Sequence, residues 1–96
     1  MNIFESFKDT IDFEYYFDNA KELLSKDARD IRGVDDYGDK IIIRYTYNKP
    51  GGAGEAVQVF YKTPQQKKKI IKMIKDSGLK IHNELNPHHK DKMIKF

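Results

Sequence analysis

Two stretches of alternating residues, joined by a glycine-rich loop, place the strongest limit on the fold of this chain. From Lys40 to Tyr47 every second residue is Ile or Tyr, a pattern typical of a β-strand. From Ala56 to Lys62 the alternation recurs, with Val57, Val59 and Tyr61 on one face. The loop between them contains Pro-Gly-Gly-Ala-Gly, which favours a flexible hairpin connection. We therefore predict that these two strands form an antiparallel hairpin.

A further strand is predicted before the hairpin, at about Asp30–Asp35. Residues 36–39, Asp-Tyr-Gly-Asp, have the composition of a turn and lead directly into the hairpin. The carboxylates of Asp35 and Asp36, at the end of this strand, are interpreted as surface charge because catalytic carboxylates need burial and convergence.

An amphipathic helix is predicted from about Ile11 to Lys26. Its apolar residues recur at three- and four-residue spacing and fall in one stripe: Phe13, Tyr16, Phe17, Ala20, Leu23 and Leu24. The opposite face carries a line of carboxylates: Glu14, Asp18 and Glu22. In the same register Phe4 and Phe7 would lie on the acidic side. We therefore expect a break near Thr10, with residues 1–10 forming a separate short helix or an arm.

A second helix has a clear start and end in the sequence. Thr63 is suited to the N-cap, Pro64 to the first helical position, and Gln66 closes a capping box. Gly78 ends the helix as the residue after its cap. From Leu79 to Leu85 apolar and polar residues alternate, which predicts a closing strand.

Together these elements predict one α+β domain over residues 1–96, in the order α-β-β-β-α-β, with residues 86–96 as a basic tail. A chain of 96 residues has room for one core. Two helices on one face of a small antiparallel sheet would bury both apolar stripes as a two-layer sandwich. Without cysteine, disulfides, thiol nucleophiles, iron–sulfur clusters and Cys-ligated zinc are excluded.

The compartment expected from the sequence is the cytoplasm, with no membrane partner. No stretch approaches the roughly 18 apolar residues that span a bilayer. The first residues lack the basic and apolar regions of a signal peptide.

Charge is distributed unevenly along the chain. Residues 1–40 carry 11 acidic and 6 basic side chains, a net charge of −5, whereas residues 41–96 carry 12 basic and 4 acidic ones, a net charge of +8. The two halves are therefore expected either to attract each other or to offer the basic part to a polyanion.

A line of lysines on the second helix is the main candidate binding surface. Lys68, Lys72 and Lys75 recur at i, i+4 and i+7, opposite the isoleucines of that helix, and Lys67 and Lys69 flank them. Counterion release attracts such a row to phosphates. Three basic residues outside the helix complete the candidate set: Arg44, Lys49 and Lys62. Three aromatic residues would add base stacking if exposed: Tyr45, Phe60 and Tyr61.

The function expected from these features is that of a small non-enzymatic module that binds a polyanion, most simply the nucleic-acid backbone. Lysine makes point-charge contacts, so sequence-specific base reading is disfavoured. The alternative is a protein-binding inhibitor or adaptor of phage or mobile-element type, which would occupy a host nucleic-acid enzyme. It would use the acidic helix, where the carboxylates mimic phosphate, and the loop Pro50–Gly54. Two further interpretations of the lysine face are that it contacts an acidic protein surface or that it is only solvated, and the sequence leaves the oligomeric state open.

No catalytic, cofactor or metal site is predicted. Three histidines lie near the end of the chain, His82, His88 and His89, but no well-spaced carboxylate completes four ligands with them. A nuclease or hydrolase based on one of them is a minor alternative, because convergent groups are missing. The glycine-rich loop precedes a strand, whereas phosphate-binding loops precede a helix.

Overall fold

The chain forms two helices and a three-stranded antiparallel sheet in the computed structural model, which describes the backbone of residues 3–96 and the side chains of residues 12–96. The elements follow in this order: α1 (Ile3–Asp27), β1 (Ala28–Asp36), β2 (Lys40–Tyr47), β3 (Gly54–Phe60) and α2 (Pro64–Asp76). The strand order in the sheet is β1-β2-β3. The predicted α+β class and the antiparallel sheet are confirmed.

The hairpin of β2 and β3 carries the apolar face of the sheet. Ile41 pairs with Val59 and Ile43 with Val57, and all four side chains are buried. β2 has its predicted bounds, whereas β3 begins and ends two residues earlier than predicted. In the connecting loop Gly51 has a φ of 90°, in the left-handed region that favours glycine.

Both helices bury their apolar stripes in one core. The buried side chains of α1 are Phe13, Phe17, Ala20 and Leu24, and those of α2 are Ile70, Met73 and Ile74. They form one cluster with the isoleucines and valines of β2 and β3. This is the predicted packing of both helices on one sheet face.

Helix α1 is longer than its amphipathic pattern predicts. It runs as one helix from Ile3 through Thr10 to Asp27, without the expected break and without a separate helix over residues 3–10. No glycine or proline interrupts this stretch, so the backbone has no residue that would end the helix. Residues 1 and 2, and the side chains of Phe4 and Phe7 on which the expectation rested, lie outside the described part.

The capping box of α2 is confirmed. Thr63 Oγ1 accepts a hydrogen bond from the Gln66 N–H at 3.1 Å, and Gln66 Oε1 accepts one from the Thr63 N–H at 3.4 Å. Gly78 has a φ of 74°, as expected of the glycine that follows a helix. These local bonds fix where α2 leaves the sheet.

The prediction of a closing strand over Leu79–Leu85 is wrong, because this segment forms no regular strand. Ile81 makes one isolated parallel bridge with Ile31 of β1, and the His82 N–H donates to the Ile31 carbonyl at 2.9 Å. The extended conformation ends at Asn83, whose φ of 52° lies in the left-handed region. One residue pair therefore replaces the expected ladder.

The basic tail, residues 86–96, runs back along β1. The Asp36 N–H donates to the Lys92 carbonyl at 2.8 Å. The Asn83 side chain closes this loop, since it donates to the Phe96 carbonyl at 2.9 Å and accepts from the Phe96 N–H at 2.8 Å. The tail therefore covers part of the outer edge of β1, which limits pairing with another chain there.

Candidate nucleic-acid interface

Helix α2 presents its lysines to solvent because its opposite face is held in the core. Ile70, Met73 and Ile74 are buried, which leaves Lys68, Lys72 and Lys75 exposed on the outer face. The first turn of α2 contains no acidic residue, so no carboxylate offsets the positive end of the helix dipole there. The line of lysines predicted from the sequence is thus a continuous exposed row.

Three lysines of α2 form ion pairs with side chains in the described part of the chain. Their pairs, with the N–O distances, are Lys67 with Asp36 (2.7 Å), Lys69 with Glu14 (2.9 Å) and Lys72 with Asp76 (2.6 Å). The side chains of Lys72 and Asp76 are 76% and 61% exposed, and exposed pairs contribute only about 0–1 kcal/mol. The Lys72–Asp76 pair is therefore a weak competitor for an incoming phosphate, whereas Lys67 is held by Asp36, whose side chain is only 16% exposed.

Lys68 and Lys75 make no ion pair with any described side chain. They lie seven residues apart on one face, which corresponds to roughly 10 Å along the helix axis. They are the uncompensated positive charges of the α2 row.

The ion pairs also show how the acidic and basic halves of the chain meet. Glu14, Asp35 and Asp36 belong to the acidic half, and their partners belong to the basic half. Part of the charge asymmetry therefore stabilises the fold, and the rest remains on the surface.

Arg44 lies away from the α2 row, on the other face of the sheet. Its Nε donates to Asp35 Oδ2 at 2.9 Å, and its guanidinium also donates to the Glu84 carbonyl. The Asp35 side chain is 1% exposed, so its interpretation as surface charge is wrong. The sequence signal that was missed is Arg44 itself, a charged residue in the middle of an otherwise apolar strand.

The two other candidate residues occupy loops. Lys49 lies in the β2–β3 loop, with Nζ 5.3 Å from the centre of the Tyr47 ring. Lys62 precedes α2, and its backbone N–H donates to Gln66 Oε1 at 2.7 Å. The structure thus brings the five α2 lysines together with Lys62 near their start, and places Arg44 and Lys49 elsewhere.

The sheet aromatics considered for base stacking are engaged within the fold. Tyr45 is 5% exposed, and the Phe60 ring lies 5.0 Å from the Tyr16 ring. The Tyr61 hydroxyl donates to Asp36 Oδ1 at 2.6 Å. Burial, followed by this hydrogen bond, raises the pKa of Tyr61 to about 12. Tyr45 therefore fails the condition of exposure, and Phe60 and Tyr61, which are half-buried, meet it only in part.

Asp36 joins three elements at the start of the lysine row. It ends β1 and accepts hydrogen bonds from Tyr61 after β3 and from the Gly38 N–H, and it forms the ion pair with Lys67 of α2. Burial opposes ionisation, but the bonds from Lys67, Tyr61 and Gly38 outweigh it and hold the pKa of Asp36 below its ordinary value of 3.8. The carboxylate fixes Lys67 and the first turn of α2 against the sheet.

The histidines do not converge on one site. His82 Nε2 lies 3.4 Å from Asp30 Oδ2, whereas the His89 ring lies 5.3 Å from the Tyr37 ring. A hydrogen bond from Thr46, with a smaller contribution from His82, lowers the pKa of Asp30. Among the described residues, no three His, Asp or Glu side chains are grouped so that they could hold a metal ion.

A groove between α1 and α2 borders the lysine row, and sequence reasoning missed it. It has a volume of about 420 Å³. Its floor is formed by Phe17, Leu24 and Met73, and polar side chains form its rim: Lys21, Ser25, Lys69, Lys72, Asp76 and Ser77. The groove forms where two helices that are far apart in the sequence pack side by side. No local sequence pattern therefore predicts it.

Comparison of the chain with protein-family models, curated proteins and solved structures gives no match. In the part of the chain that the structure describes, neither helix has the length and apolar character needed to cross a bilayer.

Proposed function

We propose that this protein is a non-enzymatic module that binds the sugar–phosphate backbone of nucleic acid through the outer face of α2. The observation that supports it most is the pair Lys68 and Lys75, exposed on one face without a carboxylate partner among the described side chains. Lys72 lies between them, and its own ion pair is largely exposed. Three ammonium groups in a row match the repeated charge of a phosphate backbone.

The position of the lysines is unfavourable for the isolated protein, which supports a role in binding. Cations near a helix N-terminus oppose the helix dipole, and Lys67, Lys68 and Lys69 occupy the first turns of α2. A bound phosphate removes this repulsion. The expected compartment of the interaction is the cytoplasm.

The proposal is tested by fluorescence anisotropy with labelled single-stranded DNA, duplex DNA and RNA. Wild type is compared with Lys68→Glu/Lys75→Glu and with a matched control, Lys90→Glu/Lys95→Glu, which makes the same charge change at exposed tail positions. We expect the α2 variant to lose binding at least about tenfold more than the control, because charge reversal repels phosphate. Equal loss in both variants, or no binding by wild type at low salt, would contradict the proposal.

The alternative, a protein-binding inhibitor or adaptor with an acidic helix that mimics phosphate, has less support. Two carboxylates of the α1 line are engaged within the chain, Glu14 with Lys69 and Glu22 with Lys26. Asp18 is the exposed member without a described partner. If wild type binds no nucleic acid, a search for a protein partner is the next step.

A further inference from the structure

The groove between α1 and α2 lies directly beside the proposed phosphate contacts. Lys72 belongs to the lysine row and Lys69 flanks it, and both lie on the rim of the groove. A nucleic-acid strand that follows the row therefore passes the mouth of the groove, and a group that projects from the strand can enter it.

The size of the apolar floor limits what can bind. Phe17 and Met73 are each 7% exposed and Leu24 is 2% exposed, so together they offer a narrow apolar strip. A partner helix or a protein surface needs a far larger apolar area, since a stable interface buries about 800 Å² on each partner. The volume of about 420 Å³ instead lies within the range of small-ligand pockets, roughly 300–1,000 Å³.

The charge of the rim selects a negatively charged ligand. The rim carries three ammonium groups, and two of them form ion pairs, Lys69 with Glu14 and Lys72 with Asp76, so Lys21 leaves the rim with a net positive charge. Lys21 is exposed and has no ion pair with a described side chain. An apolar floor beneath a positive rim is complementary to a planar, weakly polar group attached to phosphates.

We infer that this groove receives one unpaired base, so that the preferred ligand is single-stranded nucleic acid whose flanking phosphates bind Lys72 and its neighbours. This inference rests on the proposed function and specifies its ligand. Bases in a duplex are paired and stacked and cannot enter a groove without being flipped, whereas bases of a single strand are available. The sheet aromatics are less available for stacking, because Tyr45 is buried and Phe60 and Tyr61 are half-buried.

Lys69 covers part of the groove in the free protein. Its Nζ lies 4.7 Å from the centre of the Phe17 ring and 2.9 Å from Glu14 Oε1. A base that enters displaces this ammonium from the Phe17 ring and leaves it free to bind the adjacent phosphate. Base entry and phosphate binding therefore favour each other.

The test distinguishes binding to the base from binding to the backbone. Anisotropy is measured with an oligothymidylate and with an abasic single strand of the same length, which keeps the phosphates and lacks the bases. Each is titrated with wild type, with Ser25→Trp, which fills the groove from its exposed rim, and with the matched control Ser25→Ala. Circular dichroism verifies that all three proteins are folded.

We expect wild type and Ser25→Ala to bind the thymidylate at least about fivefold more tightly than the abasic strand, which corresponds to about 1 kcal/mol for one stacked base. Ser25→Trp is expected to bind both strands with the affinity that wild type has for the abasic one. Equal affinity of wild type for the two strands, or a preference that survives Ser25→Trp, would overturn the inference and leave backbone binding intact. If wild type binds neither strand, the proposed function is overturned as well.

Discussion

At the scale of single residues, two carboxylates adjacent in the sequence have different environments and different tasks. Asp35 is buried on the outer sheet face and pairs with Arg44, whereas Asp36 points toward α2 and binds Tyr61 and Lys67. The difference follows from strand geometry, because successive side chains of a strand point to opposite faces. Each carboxylate therefore has its own testable consequence.

Loss of Arg44 is expected to destabilise the fold strongly, and a second substitution at Asp35 is expected to restore most of that stability. Arg44→Met leaves the nearly inaccessible Asp35 carboxylate without its cation, and we expect the free energy of unfolding to fall by about 3–5 kcal/mol. The double variant Asp35→Leu/Arg44→Met removes both charges and is expected to recover most of that loss. Urea denaturation measures both variants, and a double variant as unstable as the single one would refute this account.

The burial of Tyr61, together with its hydrogen bond to Asp36, predicts that stability depends on pH in the alkaline range. The folded pKa of Tyr61, about 12, lies above its ordinary value of 10.0, so the folded state binds this proton more tightly than the unfolded state. The contribution to stability is complete below pH 10.0 and is lost as the pH rises toward about 12. Ultraviolet titration is expected to show a tyrosine that ionises near pH 12 in wild type and is absent in Tyr61→Phe. A titration curve that is unchanged near pH 12 in the variant would contradict the raised pKa of Tyr61.

At the scale of elements, local signals predict the start of α2, whereas they predict neither the continuous helix through Thr10 nor the conformation after Gly78. The start of α2 was predictable because Thr63, Pro64 and Gln66 act within one turn. The segment after Gly78 alternates like a strand, yet its conformation depends on the tail that returns beside β1 and on Asn83. Neither feature is visible in a pattern of alternating residues.

The Asn83 side chain is predicted to hold the tail against β1. Asn83→Ala removes two hydrogen bonds to the Phe96 backbone, and we expect a loss of about 1–3 kcal/mol in the free energy of closing the tail. Hydrogen exchange of the Asp36 amide, which donates to the Lys92 carbonyl, should become faster in the variant, while amides of the β2–β3 ladder keep their protection. Uniformly faster exchange across the sheet would show that Asn83 stabilises the whole fold and not the tail.

At the scale of the whole molecule, the sequence was enough for the class of fold and for the lysine row, but not for the groove. Periodicity alone reveals the alternation of β2 and the apolar stripes of both helices. These features can therefore be predicted without knowledge of tertiary contacts. Which lysines are compensated depends on where α1 and β1 place Glu14 and Asp36 beside α2. The same packing creates the groove beside Lys69 and Lys72, which is why charge alone predicted a backbone contact and no pocket.

The central claim, that the α2 row binds phosphates, is tested most directly by the salt dependence of affinity for single-stranded DNA. Each phosphate contact contributes about −0.7 to the slope of log affinity against log salt concentration, so three lysines predict a slope of about −2 for wild type. Lys68→Gln/Lys75→Gln removes two contacts and should reduce the magnitude of the slope by about 1.4, while Lys90→Gln/Lys95→Gln should leave it unchanged. Equal slopes for wild type and the α2 variant would contradict the claim.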